Sequence, residues 1–325
     1  MTRTTPPRPV NIATVFPELL KYSRTTTRLH PRPGAPGRAD SSVGGPLLWP
    51  ADEPWPACTE SHEGAIAVSV AAERRGRAVL AAAWARAYPG FSLDLTEEER
   101  RQTQEQLVET GPGPVPMLAA AQLYARDIPD FAGPPGTDLL QVLWCPFEHG
   151  ELYLPAVVLK WRRAADVTDV LDPQPEPAAV QQYACYLPEP CVLHPERVLE
   201  YQYGGLLPED LDERIQEWEE ESGLSYQYEL SIANGWKMGG WADWCLTDPY
   251  PVTCDDCGRD MDLLLTVATC EWDGDASWRP VEDDHDGPPV PAPNEPAQVK
   301  IGRGYSMWIF TCPASFEHPH KLTEE

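Results

Sequence analysis

The chain has 325 residues and sets 25 lysines and arginines against 51 aspartates and glutamates, a formal net charge of −26. A surface this anionic repels phosphate backbones and anionic lipid, which counts against nucleic acid and membrane surfaces as partners. With 42% hydrophobic residues and 37 prolines, the chain is globular and long enough for a core without disulfides. It makes one large domain or two of ordinary size, not dominated by long helices.

The opening Met1-Thr2-Arg3-Thr4-Thr5-Pro6-Pro7 has no apolar stretch or cleavage pattern. No apolar run approaches the ~18 residues of a membrane span. The expected compartment is therefore the reducing cytoplasm, where the nine cysteines serve as metal ligands or core residues. Residues 1–40 read as a proline-rich extension with a short apolar segment at Val10–Tyr22, then a basic, turn-rich stretch. Residues 41–171 form a first half and 172–325 a second, with Asp172–Pro177 as the connection.

Within the first half, 66–112 reads as a helical insertion whose clearest helix starts at Thr96, where Thr96 and Glu99 form a capping box. Met117–Tyr124, Asp138–Cys145 and Ala156–Trp161 are short apolar runs bounded by Gly and Pro, and predict strands. Leu211, Ile215 and Trp218 at i, i+4 and i+7, with Gly223 as the stop, predict an acidic amphipathic helix over 208–222. Strands follow at Met261–Cys270 and Tyr305–Cys312, separated by an acidic, proline-rich loop at Asp273–Pro296.

Laying the halves over each other exposes a self-similarity that composition conceals. Gly44-Gly45-Pro46, Trp49, Pro54-Trp55-Pro56 and Cys58 find their counterparts in Gly239-Gly240-Trp241, Trp244, Pro249-Tyr250-Pro251 and Cys254. The second glycine precedes the cysteine by 13 residues in one copy and 14 in the other. Each copy then has a strand opening on methionine, Met117 or Met261, and closes on a strand, Cys-Pro and Phe-Glu-His: Cys145-Pro146-Phe147-Glu148-His149, and Cys312-Pro313 with Phe316-Glu317-His318.

Cys254-Asp255-Asp256-Cys257-Gly258 is a C-x2-C knuckle, whose thiolates can meet one Zn2+ while the glycine permits the turn. Cys312 and His318 complete a closed Cys3His set, with His320 as the alternative fourth ligand. A redox couple is the competing reading. It is disfavoured because the pair precedes a strand-like run and two aspartates raise the thiol pKa. A DNA-reading finger is excluded by the long interval to the next ligand. The same logic gives a second, weaker Cys2His2 set, Cys58, His62, Cys145 and His149, split by the insertion. Four-ligand sites contribute folding energy rather than an activated water. An enzyme would need an open position and a base, for which Glu148 and Glu317 are the neighbours.

Other signals carry less. Gly302-Arg303-Gly304 is a turn before a strand, Glu282-Asp283-Asp284-His285-Asp286 is a solvated loop without an EF-hand pattern, and no G-x-S-x-G occurs. Trp236, Trp241 and Trp244, around Gly239-Gly240, are either core anchors or the lining of a groove.

Gly44-Gly45-Pro46-Leu47-Leu48-Trp49-Pro50, Gly136-Thr137-Asp138-Leu139-Leu140-Gln141-Val142, Cys254-x2-Cys257-Gly258-x2-Met261 and Phe310-Thr311-Cys312 together resemble the YwqG-like family, a bacterial domain of unknown function, in its long actinobacterial branch. The resemblance runs from about residue 40 onward. It implies a β-rich cytosolic protein with duplicated strand units and no established activity, so no catalytic residue is carried over.

The expected molecule is a β-rich α+β protein of two pseudo-repeated halves of antiparallel strands, with helical insertions and zinc-knuckle-like metal sites. Its expected role is an intracellular acidic binding or regulatory protein engaging a basic protein partner, in the manner of an immunity protein. The rival readings are a zinc-dependent hydrolase with an open site in the first copy, and a metal-free fold whose cysteines are simply buried.

Overall fold

Short β-prone runs punctuated by proline and glycine cannot bury both faces alone, and here they assemble into antiparallel sheets with few helices. The structure is a computed structural model that describes residues 2–88, 92–104, 106–182, 186–274, 277–283 and 292–325. Two six-stranded sheets dominate. The first runs Leu154–Arg162, Leu139–His149, Leu118–Tyr124, Ser42–Val43, Cys191–Val192 and Arg32–Pro33 in spatial order. The second runs Lys321–Glu324, Ser306–Thr311, Asp262–Ala268, Lys237–Gly239, Ser23–Arg28 and Glu196–Tyr201.

Each sheet draws strands from distant parts of the sequence. Cys191–Val192 belongs to the first sheet, while Ser23–Arg28 lies inside the second, paired on one side with Glu196–Tyr201 and on the other with Lys237–Gly239. The latter corrects the expectation of a turn-rich stretch after Tyr22. Ser-Arg-Thr-Thr-Thr-Arg has no apolar alternation, but its polar groups are satisfied in place. Thr25 and Thr27 donate to the two carboxylate oxygens of Asp130 at 2.6 and 2.8 Å, and Thr26 donates to the Met238 carbonyl.

One apolar core joins the inner faces of both sheets. It contains Leu140, Val142 and Trp144 from the first and Met238, Leu265, Val267, Met307 and Ile309 from the second, with Trp144 and Trp236 rings 6.3 Å apart. The intervening residues of the same strands face outward yet are also buried, so each sheet has a second apolar layer. On the first sheet this layer holds Leu143, Cys145 and Phe147 with Leu47, Trp49 and Cys58. On the second it holds Leu263, Trp308 and Phe310 with Trp244, Cys254 and Cys312. Period-two alternation thus places Cys145 and Cys312 in the outer layers, whereas Cys191 lies in the common core.

The insertion has helical character at Val70–Ala87 and Glu97–Thr103, the latter opened by the Thr96–Glu99 capping box. Its ends are strands, Ile66–Ser69 and Leu107–Glu109, which pair with each other. The acidic helix spans Glu209–Ser222 and stops at Gly223, whose φ of +72° is the left-handed cap that glycine supplies without strain. Its buried Leu211 and Ile215 rest on Ile12, Phe16 and Leu19, so the N-terminal segment is part of the packed structure. Part of the Asp273–Pro296 loop and of the 282–286 acidic run lies outside the described residues, as does Cys185. Among the described residues, no helix is long and apolar enough to cross a membrane.

Lys237 and Glu200 form a fully buried ion pair at 2.6 Å in the second sheet. Glu200 also accepts from the amides of Ala233 and Trp241, both at 2.9 Å, and Lys237 donates to the Trp241 carbonyl. Neutralising one partner strands the other charge away from water. Glu200→Gln is expected to lower unfolding free energy by about 3–5 kcal/mol, against less than about 0.5 kcal/mol for the solvated Glu220→Gln. Denaturant titration of both variants checks the contrast.

Candidate metal centres

The first centre is built where two irregular segments cross the outer face of the first sheet. Ala57–Cys58 pairs with Val115–Pro116, which fixes the Cys58 backbone. The preceding loop is pinned by Trp55, whose indole donates to the Met117 carbonyl at 2.8 Å, and by Gln122 and Gln141, which bond the Leu48 amide and carbonyl. Cys145 and His149 lie on the Leu139–His149 strand. There the ladder loses register opposite Cys145-Pro146-Phe147, between Pro155 and Val157, where proline has no amide to contribute.

These elements bring Cys58, His62, Cys145 and His149 together, with ligand atoms all within 4.8 Å of one another. Cys58 Sγ lies 3.5 Å from His149 Nε2, His62 Nε2 lies 3.2 Å from Cys145 Sγ, and the two imidazole Nε2 atoms are 3.4 Å apart. Around a tetrahedral ion with bonds of ~2.3 Å to sulfur and ~2.0–2.1 Å to nitrogen, the ligand separations are about 3.8 Å for two thiolates, 3.6 Å for thiolate and nitrogen, and 3.4 Å for two nitrogens. The cluster already stands close to those edges. His149 Nδ1 is 3.0 Å from a Glu60 carboxylate oxygen, the arrangement that orients an imidazole toward a metal. The Phe147 ring packs on His62, centroids 4.7 Å apart.

Burial, reinforced by the neighbouring His149, lowers the His62 pKa and keeps its imidazole neutral, as a ligand must be. Burial raises the Cys145 thiol pKa, with Cys58 adding to it, so without a cation that sulfur is an unreactive thiol. Of the two carboxylates considered as bases, Glu148 points to the other face of its strand from Cys145, Phe147 and His149. There it accepts from Gln181 Nε2 at 2.6 Å and Tyr186 hydroxyl at 3.4 Å. Glu317 is exposed.

The second centre occupies the outer layer of the other sheet. Val252 and Met261 are joined by a 2.8 Å hydrogen bond, Thr253 bridges Asp260, and the chain between turns back on Gly258 at φ +68°. The Gly258 amide bonds the Cys254 carbonyl at 2.8 Å, which closes the knuckle. Cys312 ends the Ser306–Thr311 strand, and the Ala314 amide points at its sulfur, 3.4 Å away. Phe316 stacks edge-on against Trp161 of the first sheet, centroids 5.2 Å apart, and anchors the turn that carries His318.

Cys254, Cys257, Cys312 and His318 consequently converge, all ligand atoms within 4.8 Å. Cys254 Sγ is 3.4 Å from His318 Nδ1 and Cys257 Sγ is 3.5 Å from Cys312 Sγ, again near tetrahedral edges. His320 is not in this cluster; it sits half-buried beside the Val157 backbone, and burial lowers its pKa. Both groups of four can hold a metal ion, the first largely enclosed and the second with Cys257 exposed. Cys191 is buried and Cys245 exposed, neither belonging to a cluster.

Of the three tryptophans, Trp236 is core, Trp241 lines a groove of about 520 Å3 beside the second centre, and Trp244 backs the wall of that groove while buried in the outer apolar layer. Between them, Asp243 accepts from Gln227 Nε2 at 2.8 Å, and burial raises its pKa to about 6. No signal in the sequence separated Asp243 from the surface acids.

A scan against protein-family models finds no match to the chain, and a search of curated proteins finds no relative.

Elemental analysis after gentle purification is expected to find two metal ions per chain. His62→Ala removes one and Cys312→Ala the other, and Cys257, being exposed, makes the second ion the first to leave in chelator. Fewer than about one ion per chain would mean that the cysteines are merely buried. A pH series on Asp243→Asn tests the groove acid. Because the folded pKa is raised above the ordinary 3.8, the stability of the wild type falls as pH rises through about 6. The amide variant should therefore be the more stable chain near neutral pH, by about 1–3 kcal/mol, with the advantage vanishing below the ordinary carboxylate pKa.

Proposed function

We propose that this chain is a zinc-stapled, acidic cytoplasmic protein that binds a basic protein partner, as an immunity protein engages a basic toxin. The observation that carries the reading is that each cluster offers four protein ligands at tetrahedral spacing. A site whose coordination is filled by the protein contributes folding energy, and leaves no position for an activated water. Thiolate and imidazole donors in that geometry favour zinc over the oxygen-seeking magnesium, calcium and manganese. The carboxylates nearest the first cluster are engaged otherwise, Glu60 with His149 and Glu148 with Gln181. A zinc-dependent hydrolase is correspondingly disfavoured.

The surface supplies the other half of the reading. A net charge of −26 accelerates encounter with a cationic protein and repels anionic competitors. Membership of the YwqG-like family belongs to the same proposal and rests on the motif residues quoted above. The duplication of one unit is supported by the spatial orders. Leu118–Tyr124, with Leu139–His149 and Leu154–Arg162 beyond it, takes the same place in the first sheet as Asp262–Ala268, with Ser306–Thr311 and Lys321–Glu324 beyond it, takes in the second.

Immobilised metal-loaded protein is expected to retain a basic protein from native lysate at low salt and to release it at high salt. Recovery of no basic partner at low salt overturns the binding reading. X-ray absorption at the zinc edge is expected to give only sulfur and nitrogen neighbours at both centres; a light oxygen ligand restores the catalytic reading.

A further inference from the structure

Resting on the binding reading, we infer that the groove beside the Cys3His centre is the docking site for an extended, proline-containing basic segment of the partner. Trp241, Trp244 and Tyr250 line a groove of about 520 Å3, with Asp260 and Asp262 also in its wall. Trp244, only 5% exposed, meets Tyr250 edge to face at 5.0 Å and so holds the Tyr250 ring, 47% exposed, in place beside the part-exposed Trp241, giving two fixed aromatic surfaces. Such surfaces are what a polyproline-type chain packs on, because its rings and pre-extended backbone lose little entropy on docking. The groove opens onto exposed apolar side chains. Leu246, Tyr250 and Leu206 are 59%, 47% and 46% exposed, more than a small molecule inside the groove would cover.

Charge selects the occupant. Residues 240–262 contain six aspartates, Asp243, Asp248, Asp255, Asp256, Asp260 and Asp262, against Arg259 in the same stretch, with Arg24 and Lys321 paired to Asp262 and Asp255. The molecule already carries an internal example of the recognition. Arg24 lies flat over Trp241, 3.9 Å from the ring centroid, and donates to Asp262 at 3.2 Å. Tyr250 and the exposed Asp260 line the same groove and offer a second ring and carboxylate to a cation. A partner's arginine or lysine set over Tyr250 and against Asp260 gains a cation–π contact and an ion pair together. The chain between its cationic residues then lies along the groove past Trp241.

The test uses the metal-loaded full chain and a labelled peptide of alternating arginine and proline, read by fluorescence anisotropy. A glutamate-for-arginine peptide and a serine-for-proline peptide are run beside it. The wild type is expected to bind the arginine–proline peptide saturably, the serine version more weakly and the glutamate version not at all. Tyr250→Ala with Asp260→Asn is expected to weaken binding by roughly tenfold or more, with unchanged circular dichroism and two metals retained. The comparison variant is Glu217→Gln/Glu220→Gln/Glu221→Gln on the acidic helix, which removes more charge away from the groove. It should weaken binding less than threefold. Equal losses in the two variants, or no loss in the groove variant, overturn the groove assignment while leaving a diffuse acidic binding surface standing. Equal binding of the serine peptide overturns the requirement for proline. No binding of any cationic peptide at low salt, together with no basic protein retained by the wild type, defeats the underlying reading itself.

Discussion

Irregular chain must be held flat against the outer faces of two sheets whose inner faces already share a core. Those outer faces are apolar, with Leu143, Cys145 and Phe147 on one and Leu263, Trp308 and Phe310 on the other. The segments that cover them are rich in proline and tryptophan and have few ladder hydrogen bonds of their own. Ordering such chain costs about 1–2 kcal/mol per residue in backbone entropy. Burial of Trp49, Trp55 and Trp244 offsets part of that cost, and over each face four cysteine and histidine side chains converge that can hold a metal ion and so tie the cover down. Each cluster joins a covering loop to the strand beneath it: Cys58 and His62 to Cys145 and His149, and Cys254 and Cys257 to Cys312 and His318.

The sheets are bound to each other by more than their common core. Asp130 stands in the loop after the Leu118–Tyr124 strand of the first sheet, yet its carboxylate takes hydroxyls from Thr25 and Thr27, and an Arg197 hydrogen bond at 3.1 Å, in the second. Phe316 on Trp161 makes the reciprocal link from the second sheet to an edge of the first. Buried charge adds direction to the packing. Arg28 is almost wholly buried, and burial lowers its pKa to about 10, while Glu271 and Glu196 act to keep it charged. His30 sits between the carboxylates of Glu196 and Glu271, at 3.3 and 3.7 Å. Ionic groups in such positions favour one alignment of strands over neighbouring registers more than they raise net stability.

The features readable in the sequence were those whose cause is local. The Thr96–Glu99 box, the Gly223 stop and the apolar runs between prolines each encode their outcome within a few residues, and the strands and helices form there with boundaries shifted by a few residues. The cysteine and histidine sets were legible through order and spacing, because a metal ligand must sit at a strand end or a tight turn. The Phe-Glu-His match between the copies already favoured His318 over His320, and His318 does stand in the cluster, on a turn whose Phe316 meets Trp161 of the other sheet. The central place of Ser23–Arg28, by contrast, was hidden. Three threonines and two arginines look like a solvated turn until Asp130, Met238 and Glu271 are brought to them by distant chain. Trp236 and Trp241 are separated by five positions yet divide between core and groove. They flank the three-residue strand Lys237–Gly239, and which of them is covered depends on distant chain that composition does not record.

The helical insertion leaves and re-enters the body through Ile66–Ser69 and Leu107–Glu109, neighbours in one ladder with Ile66 opposite Glu109. Its two ends are thus fixed side by side, outside the stretch of chain that supplies His62 and before that supplying Cys145. Whatever lies between those ends changes the closure entropy only logarithmically with its length. The first turns of the segment are tied to the body, with Val70 in the common core and Arg77 donating to the Leu187 carbonyl at 2.9 Å; the chain beyond them is a socket in which length can change at little entropic cost to the sheets.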